Sequence, residues 1–107
     1  MKEITVAELK EKMDAGDDFE LIDVRQPNEY EFAKIEGAKL IPLPEIVQRM
    51  DEIDNSKEII VHCKMGGRSA KAIEFLQASG FEGNMANLIG GIMAWSSEID
   101  PSVPQYH

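Results

Sequence analysis

Five residues in the middle of the chain, Glu58-Ile59-Ile60-Val61-His62, most restrict the folds that are open to it. Their centre consists of three consecutive β-branched residues, and side chains alternate between the two faces of a strand. A strand that is apolar on both faces must be covered on both faces, as in the centre of a parallel sheet. The strand runs directly into Cys63, so this cysteine is predicted at the carboxyl end of a central strand.

Shorter apolar stretches and helical patterns alternate on both sides of this strand. We predict further strands over residues 19–24, 38–41 and 85–89. We predict a first helix capped by Thr5 and a helical turn that starts near Pro27. Further helices are predicted from Pro44 to before Asn55 and over residues 69–79, and a last helical segment from Gly90 through Trp95. Strands that alternate with helices are joined by right-handed crossovers into a parallel sheet. The predicted fold class is therefore α/β, a small parallel β-sheet flanked by helices on both faces, with residues 1–107 as a single domain.

The chain contains a single cysteine, Cys63, and only two histidines, His62 and His107. An internal disulfide is therefore excluded, and these residues cannot supply the clustered ligands of a structural zinc site. We predict neither a metal nor a cofactor. Residues 1–14 are charged and amphipathic, unlike a signal peptide, and no apolar run approaches the roughly 20 residues that cross a bilayer. These features predict a cytoplasmic protein without a membrane partner.

The chain is acidic, with a formal net charge of -9 at pH 7. Proteins bind a phosphate backbone largely through clustered lysines and arginines, so nucleic acid is not a predicted partner. One segment departs from this charge balance. Lys64, Arg68 and Lys71 lie just after Cys63, with no acidic residue before Glu74. The cysteine is therefore predicted to lie in a locally positive region of a negative protein.

Three features of the loop predict that Cys63 is a reactive nucleophile rather than a buried structural cysteine. It lies between a strand and a helix N-terminus, where free amides and the helix dipole stabilise an anion. Gly66 and Gly67 allow backbone angles at which successive N–H groups converge on one point. Lys64 and Arg68 add positive charges, which lower the pKa of a nearby thiol.

The same loop indicates what the cysteine does. Amides and cations that stabilise a thiolate also stabilise a persulfide anion, and a negative donor such as thiosulfate would be attracted to the planar guanidinium of Arg68. Cys63 would attack the outer sulfur of the donor and hold it. No second cysteine can resolve this persulfide, so the sulfur must pass to an external acceptor. The predicted substrate-binding residues are Lys64, Met65, Gly66, Gly67, Arg68 and Ser69.

Motifs along nearly the whole chain resemble those of rhodanese-like domains. Residues 60–70 are similar to the active-site loop of that family, residues 21–25 to its opening motif, and residues 90–95 to its closing glycine-pair and tryptophan motif. Three pairs continue the match, namely Glu29-Tyr30, Gly37-Ala38 and Pro42-Leu43. The resemblance implies a rhodanese-like fold and a sulfurtransferase.

The end of the chain carries a second resemblance. Residues 100–106 are similar to the ends of rhodanese domains fused behind ubiquitin-activating-like adenylyltransferases, which deliver sulfur for molybdopterin, thiamine or tRNA thiolation. Residues 33–38 depart from the family pattern, because they lack the histidine and the proline that many members have there. We interpret this segment as structural, so the departure concerns the geometry of a loop more than catalysis.

Two charged residues close the first predicted strand beside the cysteine loop. Asp23 is expected to accept hydrogen bonds from that loop or to orient Arg25, in a supporting role rather than in proton transfer. Arg25 is expected to hold the following turn by pairing with Asp23 or Glu29, which suits an arginine fork. His62 precedes Cys63 on the same strand, so their side chains point to opposite faces and a Cys–His dyad is not predicted.

Two other functions remain as alternatives. Cysteine phosphatases also place a thiolate and an arginine around an anion, but they need five residues between the two, whereas Cys63 and Arg68 enclose four. A non-catalytic interaction module with the same fold would be expected to lack the cysteine. The predicted partners are a small anionic sulfur donor such as thiosulfate, or a protein persulfide donor and a sulfur-carrier acceptor.

Overall fold

The computed structural model describes all 107 residues. Strands and α-helices alternate along the chain, and two short 3₁₀ turns precede the fourth strand. The strands are β1 (Glu3–Ile4), β2 (Phe19–Asp23), β3 (Lys39–Leu40), β4 (Glu58–His62) and β5 (Asn84–Leu88). The helices are α1 (Val6–Asp14), α2 (Pro27–Phe32), α3 (Gly67–Ala78) and α4 (Gly91–Glu98). The 3₁₀ turns cover Leu43–Glu45 and Met50–Glu52.

All five strands are parallel and form one sheet in the order β1-β5-β4-β2-β3. The central position of β4 is the one that its β-branched run predicts. The register pairs Asp23, the last residue of β2, with His62, the last residue of β4. The carboxyl ends of β2 and β4 therefore meet at one edge of the sheet, next to Cys63.

Two apolar clusters cover the two faces of the sheet. In β4, Ile60 belongs to one cluster, whereas Ile59 and Val61 belong to the other. The first cluster includes side chains of α1 and α4, and the second includes side chains of α3. Alternate residues of a strand point to opposite faces, so a continuous apolar run supplies both cores. The predicted α/β fold with helices on both faces is confirmed.

The helix α1 begins as the sequence predicts. The Thr5 hydroxyl accepts a hydrogen bond from the Glu8 amide, and the Glu8 carboxylate accepts one from the Thr5 amide. This capping box satisfies two amides that have no partner within the helix. Val6 and Leu9 are buried on its inner face. None of the four helices has the length and the apolar character that a membrane span requires.

The helix predicted from Pro44 to before Asn55 is wrong. The structure has two 3₁₀ turns there, and most of their backbone hydrogen bonds join residues three apart, such as Ile46 to Leu43. Of the apolar residues that supported the prediction, Ile46 is buried but Val47 is exposed. Helices in proteins are stabilised mainly by packing of an apolar face, and this segment buries too narrow a face to gain from one.

The helix after the cysteine loop also differs in detail from the prediction. It begins at Gly67 rather than at Ser69, and Ser69 itself is fully buried. Phe75, which was predicted on the apolar face, is 44% exposed. Ser69 belongs to the buried face of α3 and Phe75 does not, because the buried residues 69, 72, 73 and 76 follow helical spacing. A serine therefore points inward at the start of α3, beside the cysteine.

Candidate functional site

The loop that carries Cys63 is shaped by a glycine and by the start of α4. Gly66 has a φ of 118°, a conformation that favours glycine, and it caps α3. Gly67 has ordinary helical geometry, so only one of the two predicted glycines uses its conformational freedom. The amide of Ile92 donates to the Cys63 carbonyl at 3.0 Å, which holds the loop against α4. The loop is thus fixed by its own turn and by a neighbouring helix.

The thiol of Cys63 lies at the centre of this loop and is 1% exposed. The Gly66 amide donates to the sulfur at 3.1 Å, and the Ser69 hydroxyl lies 3.3 Å from it. Burial raises the pKa of the thiol, but hydrogen bonds from Ser69 and from the amides of Ser69, Gly66 and Met65 more than offset burial, so the pKa lies below its ordinary value. The loop therefore favours the thiolate.

Ser69 joins the thiol to the neighbouring strand β5. Its hydroxyl oxygen is 2.5 Å from Asn87 Oδ1 and 3.3 Å from the Cys63 sulfur. The Asn87 amide nitrogen donates to the Gly66 carbonyl at 3.1 Å, which fixes the direction of the amide. A hydroxyl carries one proton, so Ser69 donates it either to Asn87 or to the sulfur. When the sulfur becomes an anion, the stronger acceptor is the sulfur.

Arg68 is held by a carboxylate that lies 39 residues earlier in the chain. Its two terminal nitrogens donate to the two oxygens of Glu29 at 2.6 and 2.9 Å, in the paired geometry that suits a guanidinium. The Arg68 hydrogen bonds, aided by the Gln26 amide and the Tyr106 hydroxyl, outweigh burial and lower the pKa of Glu29 to about 2. The sequence predicted Arg68 as a positive charge beside the thiol. In the structure Arg68 is paired with Glu29, and this pair joins α3 to α2.

Lys64 lies over an aromatic ring from the end of the chain. Its ammonium nitrogen is 4.9 Å from the centre of the Tyr106 ring. The Tyr106 hydroxyl donates to Glu29 at 2.7 Å and accepts from Arg25 at 3.0 Å. The ring of Phe32 meets the Tyr106 ring edge-on at 6.0 Å. Tyr106, in the tail after α4, is therefore part of the candidate site.

Asp23 and Arg25 form a fully buried pair at the end of β2. The Arg25 side chain donates to the Asp23 carboxylate, with the shortest bond at 2.7 Å, and also to the Ala33 carbonyl at 2.6 Å. The Arg25 amide donates to the same carboxylate at 3.0 Å. This pairing is one of the two that the sequence suggested for Arg25. Asp23 makes no hydrogen bond to the cysteine loop, so it orients Arg25 and the turn before α2.

His62 is fully buried and contacts Asp23 rather than the thiol. Its Nε2 is 3.7 Å from an Asp23 oxygen, and its Nδ1 is 3.2 Å from the Cys63 carbonyl oxygen. Burial lowers the pKa of the imidazole, although the Asp23 charge opposes this, so the ring is neutral at pH 7. It makes no hydrogen bond to the Cys63 sulfur.

The surface above the loop is open. Met65 is 69% exposed, and no residue from Cys63 to Ser69 lines any of the 3 cavities of the molecule. The donors of the predicted loop converge on one sulfur atom, and the exposed side chain of Met65 belongs to the same loop. A reacting molecule must therefore approach from the surface.

Three residues of the site were not identified as site residues from the sequence, namely Glu29, Asn87 and Tyr106. Asn87 had a signal in the sequence, because it is the one polar residue of the strand predicted over residues 85–89. Glu29 appeared only as a partner for Arg25 and within a family motif. Tyr106 appeared only within the tail that resembles the ends of fused rhodanese domains, and no local pattern indicated its contacts with Arg25 and Glu29.

Comparison with known proteins agrees with this geometry. The model of the "Rhodanese-like domain" family matches residues 5–98. A Staphylococcus aureus rhodanese-like domain protein superposes with a TM-score of 0.82 and 33% identity, covering 100% of both chains. The fold and the order of elements around the loop are therefore those of a solved member of the family.

Relatives with curated names lead to the same family. The chain is 40% identical to the Arabidopsis thaliana chloroplastic rhodanese-like/PpiC domain-containing protein 12, over 99% of this chain but 38% of that protein. It is 38% identical to Bacillus subtilis YtwF, provisionally named a sulfurtransferase, over 94% of this chain and 96% of YtwF. It is 35% identical to MoeZ of Mycobacterium tuberculosis, named an adenylyltransferase/sulfurtransferase, over 96% of this chain and 26% of MoeZ. The chain belongs to the rhodanese-like domain family.

Proposed function

We propose that the chain is a sulfurtransferase that carries sulfur as a persulfide on Cys63. The observation that carries this proposal is the convergence of the Gly66 amide and the Ser69 hydroxyl on one buried sulfur whose pKa is lowered. A cradle of this kind stabilises a thiolate before the reaction and a persulfide anion after it. Membership of the rhodanese-like family and the names of YtwF and MoeZ support the same activity.

The first half-reaction loads the cysteine. With thiosulfate as donor, the Cys63 thiolate attacks the outer sulfur, and a new S–S bond forms on the protein. The S–S bond of thiosulfate breaks, and its electron pair leaves with sulfite. The protein keeps one sulfur atom and one negative charge on Cys63, which the donors of Gly66 and Ser69 continue to stabilise. A protein persulfide would load the same atom and release its own thiolate.

The second half-reaction empties the cysteine. An acceptor such as cyanide or a thiolate attacks the outer sulfur of the persulfide, and the S–S bond to Cys63 breaks. Cys63 leaves as a thiolate, which is a good leaving group because its pKa is lowered. With cyanide the product is thiocyanate. Cys63 is the only cysteine among these 107 residues, so none of them supplies a second thiol to accept the sulfur.

Each surrounding residue has a separate part in this proposal. Cys63 is the nucleophile, and the loop donors are the binding groups. Arg68, through Glu29, fixes the loop against α2. Lys64 contributes the cation whose place is set by Tyr106. Asp23 and Arg25 hold the turn that carries α2 and thereby Glu29.

Intact-mass measurement tests the proposal directly. The protein is incubated with thiosulfate, measured, and then treated with cyanide. We expect a gain of one sulfur atom that maps to Cys63 and is lost with cyanide, whereas Cys63→Ala gains none. A protein persulfide and a small organic persulfide serve as further donors. An unmodified Cys63 with every donor would contradict the proposal.

Substitutions of Cys63 also distinguish the proposed function from the two alternative functions. A phosphatase would hydrolyse a phosphate ester and lose that activity in Cys63→Ser, but the four residues between Cys63 and Arg68 make a shorter loop than such enzymes use. A non-catalytic module would keep its cellular function after Cys63→Ala. We expect that the wild-type protein releases no phosphate and that Cys63→Ala loses the cellular function.

A further inference from the structure

Three of the large apolar side chains that remain exposed belong to segments around the Cys63 loop. Met65 lies in the loop itself, Phe32 ends α2 with 56% of its surface exposed, and Ile89 directly follows β5 with 46% exposed. Single exposed apolar residues are common, but several on one continuous surface mark a site of interaction.

Contacts link Phe32, Tyr106 and Lys64, while Met65 and Ile89 belong to segments that meet at the same loop. The Phe32 ring meets the Tyr106 ring, and Lys64, the chain neighbour of Met65, lies over the same Tyr106 ring. On its other side the loop approaches the backbone that flanks Ile89, since a Cβ built on Gly66 would lie 3.7 Å from the Leu88 carbonyl oxygen and 3.9 Å from the Gly90 amide nitrogen. We call this surface the rim, and it is formed by Phe32, Lys64, Met65, Ile89 and Tyr106.

Lys64 is the one charged side chain among the five rim residues. Arg68 is paired with Glu29, whereas Lys64 makes no salt bridge and lies over the Tyr106 ring. The chain as a whole carries a net charge of -9, so the rim differs in sign from the rest of the molecule. Charge of one sign beside a reactive group selects partners of the opposite sign. Two copies of this chain facing each other through the rim would place like charges together.

We propose that the rim is a docking surface for a protein partner whose reacting cysteine is flanked by apolar and acidic residues. The inference rests on the proposed function and names the partner of the same site. A small anion does not need exposed apolar side chains around the sulfur, whereas a protein partner buries them. A protein segment that covers the loop buries the apolar side chains and meets the positive charge of Lys64.

A reaction that involves no persulfide tests the docking separately from the proposed function. Two synthetic peptides of equal length carry one cysteine between leucines, activated as a pyridyl disulfide, with either glutamates or lysines at the outer positions. The Cys63 thiolate attacks the peptide sulfur, the bond to the pyridyl sulfur breaks, and pyridinethione is released and measured by absorbance. The small reagent dithiodipyridine reports the intrinsic reactivity of the thiol.

The two peptides give opposite results under the two explanations. Docking at the rim predicts that the glutamate peptide reacts about tenfold faster at low ionic strength, and that salt reduces this difference. The net charge of -9 alone predicts the reverse order. A lysine peptide that reacts as fast or faster would overturn the proposal, whatever the outcome of the mass measurement.

Variants of the rim complete the test. We expect Ile89→Ser and Phe32→Ser to slow the reaction with the glutamate peptide about fivefold each, with an unchanged rate for dithiodipyridine. Phe75→Ser is the matched control, because Phe75 is a similarly exposed apolar residue of α3 outside the rim. Rim variants that behave like Phe75→Ser would refute the docking surface.

Discussion

Replacement of Ser69 by alanine is expected to weaken the nucleophile while the fold is kept. The hydroxyl of Ser69 lies 3.3 Å from the Cys63 sulfur, and it is the side-chain donor to that atom. Ser69 is fully buried, so bulk water does not replace the lost donor. The amide of Gly66 remains in place, because it belongs to the loop backbone. Ser69→Ala therefore removes one of several groups that stabilise the thiolate.

The geometry sets the size of the effect. A hydrogen bond to a charged group contributes about 1.5–3 kcal/mol. The distance of 3.3 Å and the competing contact with Asn87 at 2.5 Å place Ser69 at the lower end of this range. A loss of about 1.5 kcal/mol reduces the thiolate fraction slightly more than tenfold at a pH below the pKa, since about 1.4 kcal/mol corresponds to a factor of ten. Burial raises the pKa of Cys63, and in Ser69→Ala fewer hydrogen bonds offset it, so the pKa of the thiol rises.

The rate of Cys63 alkylation by iodoacetamide, measured as a function of pH, reports this change. The profile of Ser69→Ala is expected to move to higher pH. Ser96→Ala is the control. Ser96 lies in α4 and is also buried, but its hydroxyl donates to the Val103 carbonyl at 2.6 Å and not to the sulfur. Its profile should match the wild type. Coincident profiles for Ser69→Ala and the wild type would show that backbone amides alone hold the thiolate.

Two further substitutions test the support of the loop. The pKa of Glu29 is lowered from 4.5 to about 2 by Arg68, so the pair stabilises the fold fully above pH 4.5 and loses this contribution as the pH falls towards 2. Glu29→Gln should cost roughly 1 kcal/mol at pH 7 and flatten the dependence of stability on pH in that window, measured by urea unfolding; equal slopes would contradict this. Gly91→Ala places a Cβ 2.5 Å from the Cys63 carbonyl oxygen at a φ of 55°, and should cost at least about 2 kcal/mol and slow alkylation of the thiol. Gly16→Ala, with a φ of 70° but no atom within 4 Å, should leave alkylation unchanged, and the account fails if both variants behave alike.

The fold could be predicted wherever one local pattern had one explanation. The β-branched run of β4 requires cover on both faces, and Thr5 with Glu8 marks the start of α1. Prediction failed where the outcome depended on burial. Phe75 is apolar but faces solvent, whereas Ser69 is polar and faces the core, because α3 is oriented by its whole buried face.

The candidate site divides in the same way. Cys63 and its loop were predictable, because the donors to the sulfur lie within six residues of it. The residues that hold the loop were not, because Glu29 and Arg68 are 39 residues apart, and Tyr106 and Arg25 are 81 apart. Such pairs follow from the strand order and from the path of the tail, which no local pattern of the sequence specifies.

The position of Tyr106 has a consequence for the effect of removing residues 104–107. All five strands, the four helices and Cys63 precede these residues. Their loss would leave every strand in place, but Lys64 would lack its aromatic partner and Glu29 would lose the hydroxyl that donates to it. The tail therefore acts on the surroundings of the cysteine rather than on the sheet.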